Sequence, residues 1–255
     1  MKISIITATY NSADTLRDTL ESVLSQDYDN YEHIIVDGGS TDNTLDILEE
    51  YLPKYNGKLL YHSEPDEGIY DGMNKGISRA SGDVIGILNS DDLYYDSNVL
   101  STISQAIKDV DAIYGNLVFV DKSNINRIIR KWKGSEYVIK SFFKGWHPAH
   151  PTFYVKKSVY DKFGIYDTNL KVSADFELML RFFERGNITS NYVPKTLVKM
   201  RSGGESTGSI SKIITGNKNV LIAFEKNGFK VPRFYLIKRL LPKAVEILKT
   251  KLHFK

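Results

Sequence analysis

The stretch DVIGILNSDD, Asp83 to Asp92, runs a short apolar segment straight into two adjacent carboxylates. An apolar run of this length, DVIGILN, reads as a buried strand. A buried strand that ends in Asp91 and Asp92 delivers bare acids to one edge of its sheet. The segments before it alternate. KISIITATY is a strand by its β-branched run, and DTLRDTLESVLSQ spaces Leu16, Leu20, Val23 and Leu24 as a helix. YEHIIVDGGS is a strand ending at Asp37. STDNTLDILEEYL is a helix capped by Ser40, Thr41 or Asp42. KLLYH is a strand, and GIYDGMNKGISRAS is helical despite its glycines. SNVLSTISQAI follows as a helix. Strand and helix alternating at this pitch imply right-handed crossovers and a Rossmann-like α/β fold, a mainly parallel sheet with helices on both faces. After Asp111 the rhythm changes. AIYGNLVFVD and INRIIRKWKG read as strands, HPTFYVKKSVYDKFG as a strand and a helix, SADFELMLRFFERG as an amphipathic helix, and TSNYVPKTLVKM as extended. No linker separates them, so they read as additions to the same sheet.

The composition narrows the class. Hydrophobic residues make up 42% of the 255, enough to bury a core. The absence of cysteine excludes disulfides and cysteine-ligated zinc and fits a cytoplasmic setting. The first apolar run is too short for a signal peptide, and no run approaches the roughly 20 residues of a membrane span. Charge is unevenly placed. Eight of the 34 Lys/Arg and one of the 31 Asp/Glu lie from Lys230 to Lys255, leaving the body at net −4 and the tail at +7. An acidic body argues against nucleic-acid binding.

In an open parallel sheet, ligands gather beyond the carboxyl ends of the strands. Strand one ends in Thr7, Thr9, Tyr10 and Asn11, strand two in Asp37 through Asp42, and strand three leads to Glu64, Asp66 and Glu67. Strand four ends in Asn89, Ser90, Asp91 and Asp92. Crowded carboxylates repel one another unless a cation or many donors join them. A hard divalent metal bridging to a substrate phosphate is the natural guest. Each motif also has a plainer reading: Asp91 and Asp92 as loop acids, VDGGSTDNT as a turn and cap, Asp175 as an acid at a helix N-terminus.

Taken together, ITATYNSADTLRDTLESVLSQ, IIVDGGSTDNT, MNKGISRASGDVIGILNSDD and ADFELMLRFFERG resemble the family-2 glycosyltransferases, which have the glycosyltransferase-A fold. EPDEGIYDGMNKGI is similar to bacterial members that build surface polysaccharides. The resemblance implies an inverting transfer from a nucleotide-diphosphate sugar, UDP-linked by expectation, to a hydroxyl of a glycan or lipid-linked glycan, with Mn2+ or Mg2+. It implies that Thr7, Thr9, Tyr10 and Asn11 line the nucleotide pocket, that Asp37 meets the base, and that Asn74, Lys75, Asn89, Ser90 and His150 belong to the donor site. By the same resemblance Asp91, with Asp92 beside it, is the metal-binding acid, and Asp175 is the general base. Two positions depart from the family pattern: Asn89 stands where the first acid of the metal motif is expected, and Ala174 where a Glu precedes the base.

Those two departures favour the rival reading of an inactive nucleotide- or carbohydrate-binding module. A sugar-phosphate nucleotidyltransferase is a second rival, but TATYNSADT lacks the glycine and lysine of its first loop. Lys75 and Arg79 are candidates for facing the diphosphate, or a solvated helix face. His147 and His150 are weak zinc candidates without a second pair. RSGGEST, Arg201 to Thr207, is a candidate cover.

The expected organisation is a catalytic domain over residues 1–208, with a nucleotide half (1–110) and an acceptor half (111–208). A basic amphipathic helical extension covers 209–255. In that tail Phe234, Ile237, Leu241, Val245, Leu248 and Leu252 share a helical face among Lys238, Arg239, Lys243, Lys249 and Lys251, with a kink expected at Pro242. It suits either an anionic membrane surface, on the inner face, or packing on the protein itself or a second subunit of a homo-oligomer.

Overall fold

The computed structural model describes residues 1–203, 210–237 and 239–240. Most of RSGGEST, and Lys238, Leu241, Pro242, Lys243, Val245, Leu248, Lys249, Lys251 and Leu252 of the tail, lie outside the described residues.

Strand β1 (Ile3–Thr9) leads into helix α1 (Leu16–Leu24) and strand β2 (Tyr31–Asp37). Both strands are buried at every position, as strands covered on two faces must be. Helix α2 (Thr44–Tyr51), strand β3 (Leu59–Ser63), helix α3 (Ile69–Arg79) and strand β4 (Val84–Ile87) complete the alternating half. The remaining elements are β5 (Leu93–Tyr94), α4 (Val99–Ala106), β6 (Ala112–Val120), β7 (Ile128–Trp132), β8 (Tyr154–Lys156), α5 (Lys157–Phe163), α6 (Ala174–Leu180), β9 (Ser190–Arg201) and α7 (Ile210–Lys226). The expected helix over SADFELMLRFFERG is α6 followed by a π-helical turn at Arg181–Arg185.

All nine strands form one sheet in the order β3-β2-β1-β4-β8-β6-β9-β5, with β7 paired to β6. The first four are parallel. β8 runs against both β4 and β6, β9 runs with β6, and β5 and β7 run against their neighbours. The main direction is therefore kept by β3, β2, β1, β4, β6 and β9, and the later strands do extend the same sheet. The two-residue strand β5, which no periodicity announces, pairs Leu93 with Lys199 and Tyr94 with Val198. It ties the segment just after Asp92 to the far side of the sheet.

The pleat of β1 divides the core. Ile3 and Ile5 pack with α1, α2 and α4 on one face, and Ile6 and Ala8 with α3, α6 and α7 on the other. Val220, Ala223 and Phe224 of α7, and Tyr235 beyond it, are buried in the second cluster. Leu236 packs there too, whereas Phe234 and Ile237 are exposed.

Helix α3 keeps its glycines because of how closely it sits. A methyl group at Gly76 would strike the Ile6 side chain, and one at Gly72 would lie 3.1 Å from the Ala8 Cβ. Glycine costs a helix about 1 kcal/mol relative to alanine, and here it permits contact between helix backbone and sheet. Gly76→Ala is expected to destabilise the fold by about 1–3 kcal/mol through overpacking, despite its better helix propensity. Urea unfolding measures this, and a stabilised variant would show that the approach is not tight.

Below the crevice, His33 is wholly buried. Its Nδ1 lies 3.2 Å from the Tyr55 hydroxyl and its Nε2 3.0 Å from Thr7 Oγ1. Burial lowers its pKa from 6.5 to about 3. Between those values the unfolded chain binds a proton that the folded chain refuses, so stability is lost as pH falls from 6.5 toward 3. The melting temperature of His33→Gln should fall less steeply than that of the wild-type protein across this window; parallel profiles would contradict the assignment.

Candidate active site

Parallel register brings the strand ends into a row. Thr9 of β1 stands opposite Asp37 of β2, and Asp37 opposite Ser63 of β3. Thr9 is nearly buried, and its hydroxyl has no partner among the described residues. The hydroxyl is itself shut off from solvent, beneath the edge of the crevice. Thr7 lies deeper, with its hydroxyl donated to the Leu88 carbonyl at 2.6 Å, and holds β1 to the end of β4. Tyr10 is 60% exposed beside the crevice. Asn11, with φ 48°, accepts from the Thr41 amide at 2.8 Å while its own amide donates to Ser40 Oγ at 2.7 Å, so it clamps the first loop to the second. Asp42 serves the same clamp, accepting from the amides of Ala13 and Thr44.

Asp37 is placed differently from a base-binding acid. It is fully buried, and its oxygens accept from the amides of Gly39 and Ser40 and the hydroxyls of Ser40 and Ser63. Those four bonds build the loop and leave the carboxylate little capacity for a ligand. The acid that reaches the crevice is Asp66. A Cβ added at Gly38 would lie 2.7 Å from Asp66 Oδ2, and one at Gly72 3.1 Å from the same oxygen. Asp66 thus fills the space that two glycines leave open. Its sequence signal was only its position after β3.

The acids after β4 divide by depth. Asp92 has no exposed surface. Its Oδ2 accepts from the Asn89 amide at 2.8 Å and its Oδ1 from the Arg201 amide at 3.3 Å. Burial, and then the charge of Asp91, hold its pKa well above the usual carboxylate range. Its depth and its two partners set it behind Asp91, not beside it as a second ligand. Asp91 is partly exposed, and burial raises its pKa against the opposing charges of Arg201 and Lys122. Asn89 is spent on Asp92, and Ser90 Oγ lies 2.9 Å from Ser12 Oγ, joining this turn to the first loop. Arg201, at the end of β9, figured in the sequence only as the start of the candidate cover. Its Nε donates to the Asp91 carbonyl at 3.0 Å, its Nη1 to the Lys122 carbonyl at 3.0 Å, and its Nη2 pairs with Asp18.

Arg201 answers part of the charge problem that the sequence poses. Among the described residues no group of three or more His, Asp or Glu is disposed to hold a metal. The donor set still fits a divalent cation that is bound largely through a diphosphate. Asp91 offers one partly exposed carboxylate of raised proton affinity, and hard cations of Mg2+ type need only one or two protein carboxylates beside substrate phosphates.

The second centre forms around Asp175, partly exposed in the first turn of α6. The Tyr70 hydroxyl donates to Asp175 Oδ1 at 3.2 Å. Tyr70 stacks on Tyr166 with centroids 5.5 Å apart, and the Tyr166 hydroxyl is 2.7 Å from His150 Nε2. Burial lowers the pKa of His150 while the charge of Asp175 opposes it, so the ring is neutral at pH 7. Asn74 does not reach for a ligand here. It pairs with both the amide and the carbonyl of Tyr166, each at 2.9 Å. The structure thereby joins Asn74, His150 and Asp175 through two tyrosines that the sequence reading passed over. Lys75 and Arg79 turn away: Lys75 donates to the Pro65 carbonyl at 2.9 Å and lies 3.3 Å from Asp71, and Arg79 pairs with Glu64 at 3.0 Å. His147 lies edge-on to Trp132 and Phe176.

Comparison with known proteins bears on this arrangement. Residues 4–165 match the model described as glycosyl transferase family 2. A PGL/p-HBAD biosynthesis glycosyltransferase of Mycobacterium bovis is 28% identical over 210 residues, covering 81% of this chain and 79% of the relative. Among solved structures, S. aureus TarS 1-349 in complex with UDP-GlcNAc superposes with a TM-score of 0.68 at 20% identity, over 88% of this chain and 66% of the other. The chain spans only 39% of a longer TarS structure. A mannosyltransferase from Pyrobaculum calidifontis, in complex with GDP-Man and Mn2+, superposes with a TM-score of 0.66 at 19% identity, over 94% of this chain and 69% of that one. The sheet order, the crevice at the strand ends and the family match agree: this chain has the glycosyltransferase-A fold and belongs to glycosyl transferase family 2.

Proposed function

We propose that the protein is an inverting glycosyltransferase that moves a sugar from a UDP-sugar to a hydroxyl of a glycan or lipid-linked glycan in bacterial surface-polysaccharide synthesis. The observation that carries this reading is the pairing of two differently built centres. One is a partly exposed Asp91 at the end of β4, and the other is Asp175 on a separate helix with a tyrosine donor. Transfer needs both a place for a leaving diphosphate and a base for the acceptor.

In this reading the nucleoside lies along the ends of β1 and β2. Asp66, reaching over Gly38, takes the base-recognition role expected of Asp37, and Thr9 lies at the floor of the site with its hydroxyl shut off from solvent. Asp91 is the metal-binding carboxylate, with Asp92 behind it holding Asn89 and the Arg201 amide. A bound Mn2+ or Mg2+ would supply neutralisation of charge on the departing diphosphate. Asp175 takes the proton from the acceptor hydroxyl as its oxygen forms the new bond to the anomeric carbon and the bond to the diphosphate breaks on the opposite face. With one base and no second carboxylate acting as nucleophile, the configuration inverts. Tyr70 and Tyr166 orient Asp175, and neutral His150 supports Tyr166 without competing for the proton.

The tail's basic residues and the exposed Phe234 and Ile237 support the further reading that the enzyme works at the cytoplasmic face of an anionic membrane, where a lipid-linked acceptor would lie. No helix among the described residues is long and apolar enough to cross a membrane.

A thermal-shift panel of UDP, GDP, CDP and TDP sugars with and without Mn2+ tests the donor. UDP-sugars should raise the melting temperature most, and more so with Mn2+; a flat panel would remove the donor reading. Asp91→Ala should abolish transfer and the Mn2+ dependence of nucleotide binding, and turnover near the wild-type rate would contradict its role. Asp175→Asn should lower transfer about 10²-fold or more while donor binding is nearly unchanged. An equal loss of donor affinity would reassign Asp175 to the donor.

A further inference from the structure

Among the described residues Arg239 is a cation with no ion-pair partner. It lies beyond α7, on helical backbone that includes residues 235–237 and 239–240. The residue is partly exposed, but its Nε and Nη1 are shut off from solvent and have no hydrogen-bond partner among the described residues. The guanidinium sits 5.2 Å above the ring centroid of Phe176, the residue next to Asp175. Its backbone is pressed against Gly145, where an added Cβ would meet the Arg239 Cα at 2.9 Å. This is therefore a seated side chain, not a solvated lysine-like one. One helical turn earlier, the Tyr235 hydroxyl is also buried without a partner, its ring packed edge-on to Phe224 at 4.9 Å.

Among the described residues, no group facing this pair accepts a hydrogen bond from the Arg239 Nε or Nη1. Phe176, Phe224 and Gly145 are apolar. Asp175 is the one acid whose charge acts on Arg239, and no ion pair within 4 Å joins them among the described residues. Burial depresses the Arg239 pKa, with Tyr235 and Asp175 opposing, as expected of a cation held in a poorly solvated place. A buried unpaired charge is strongly unfavourable, and such charges are kept where a counter-charge joins them. Arginine is suited to planar oxyanions. Nothing links Arg239 to the diphosphate end of the crevice: the cations acting on Asp91 are Arg201 and Lys122.

We propose that Arg239, with Tyr235, forms an oxyanion subsite on the acceptor side of Asp175, so that the acceptor carries a phosphate or carboxylate near the hydroxyl that receives the sugar. The subsite deepens the proposed function and rests on it for the word acceptor; the oxyanion site itself does not. It gives the C-terminal segment a part in the reaction: the segment contributes a residue to the acceptor pocket, and Arg239 fixes the acceptor by its charge while Asp175 takes the proton.

The test uses the full chain and small probes, methyl phosphate for a phosphate ester and methyl glucuronide for a carboxylate, titrated calorimetrically with and without saturating UDP. At least one probe should bind the wild-type protein whether or not UDP is present, and about tenfold or more weakly to Arg239→Gln, with Arg239→Lys intermediate. UDP should bind the wild-type protein and Arg239→Gln equally. Which probe binds tells a phosphate from a carboxylate acceptor. Without ligand, Arg239→Gln should melt at a higher temperature, because it removes a cation held partly out of solvent without a paired anion among the described residues. The subsite is overturned if neither probe binds, if UDP displaces the probe, or if Arg239→Gln binds it as well as wild type. A lowered melting temperature for Arg239→Gln would overturn it as well, by showing that the charge is already satisfied. A wild-type protein that binds a probe but not UDP would defeat the donor reading and leave the oxyanion site standing.

Discussion

The close seating of α3 on β1 is the constraint on which both halves of the site depend. Gly72 and Gly76 remove the side chains that would hold the helix off Ala8 and Ile6. With the helix at that distance, Asp66 before its first turn lies across Gly38, at the end of the crevice proposed for the nucleotide. Tyr70 in its first turn reaches Asp175, and Asn74 one turn on grips the backbone of Tyr166. One helix therefore sets the distance between the proposed base-recognising acid and the proposed catalytic base. A shift of α3 would disturb the proposed recognition and chemistry together.

The acids after β4 show how the fold tolerates charge at a buried edge. Burial and the charge of Asp91 disfavour the Asp92 anion, the Asn89 amide and a backbone N–H from Arg201 oppose them, and the raised pKa shows that burial prevails. Arg201 spends its side chain on two carbonyls and Asp18, so it braces the turn more than it pairs with either acid. Asp91 remains the incompletely compensated member, and an incompletely compensated carboxylate is where a cation gains most. Asn89, a departure from the family pattern, is accounted for as the partner of Asp92.

What the sequence made legible followed from period and order. The β-branched runs and helical spacings located the alternating half and the later strands, because those patterns are local. Residues whose role depends on long-range contacts were not legible. Arg201 meets Asp18 and Asp91 across most of the chain, and Tyr70 meets Asp175 from a distant helix. Asp37 and Asp92 are similar cases: motif and position name the residue but not its depth, and both are buried and already bonded. Asp66 was in view as a loop acid, but only the empty space at Gly38 shows that it enters the crevice. In the tail, the expected apolar stripe begins with Phe234 and Ile237, which are exposed, while the neighbouring Tyr235 and Leu236 pack inward.

The central claim is that one crevice at the carboxyl ends of β1, β2 and β4 holds a nucleoside diphosphate between Asp66 and Asp91, with Asp175 facing the sugar. A crystal structure of the protein soaked with UDP and Mn2+ tests this most directly. The expected density places the base beside Asp66 and Thr9, the diphosphate and metal at Asp91, and leaves Asp175 free on the side away from the phosphates. Nucleotide bound elsewhere, or metal coordinated without Asp91, would contradict it.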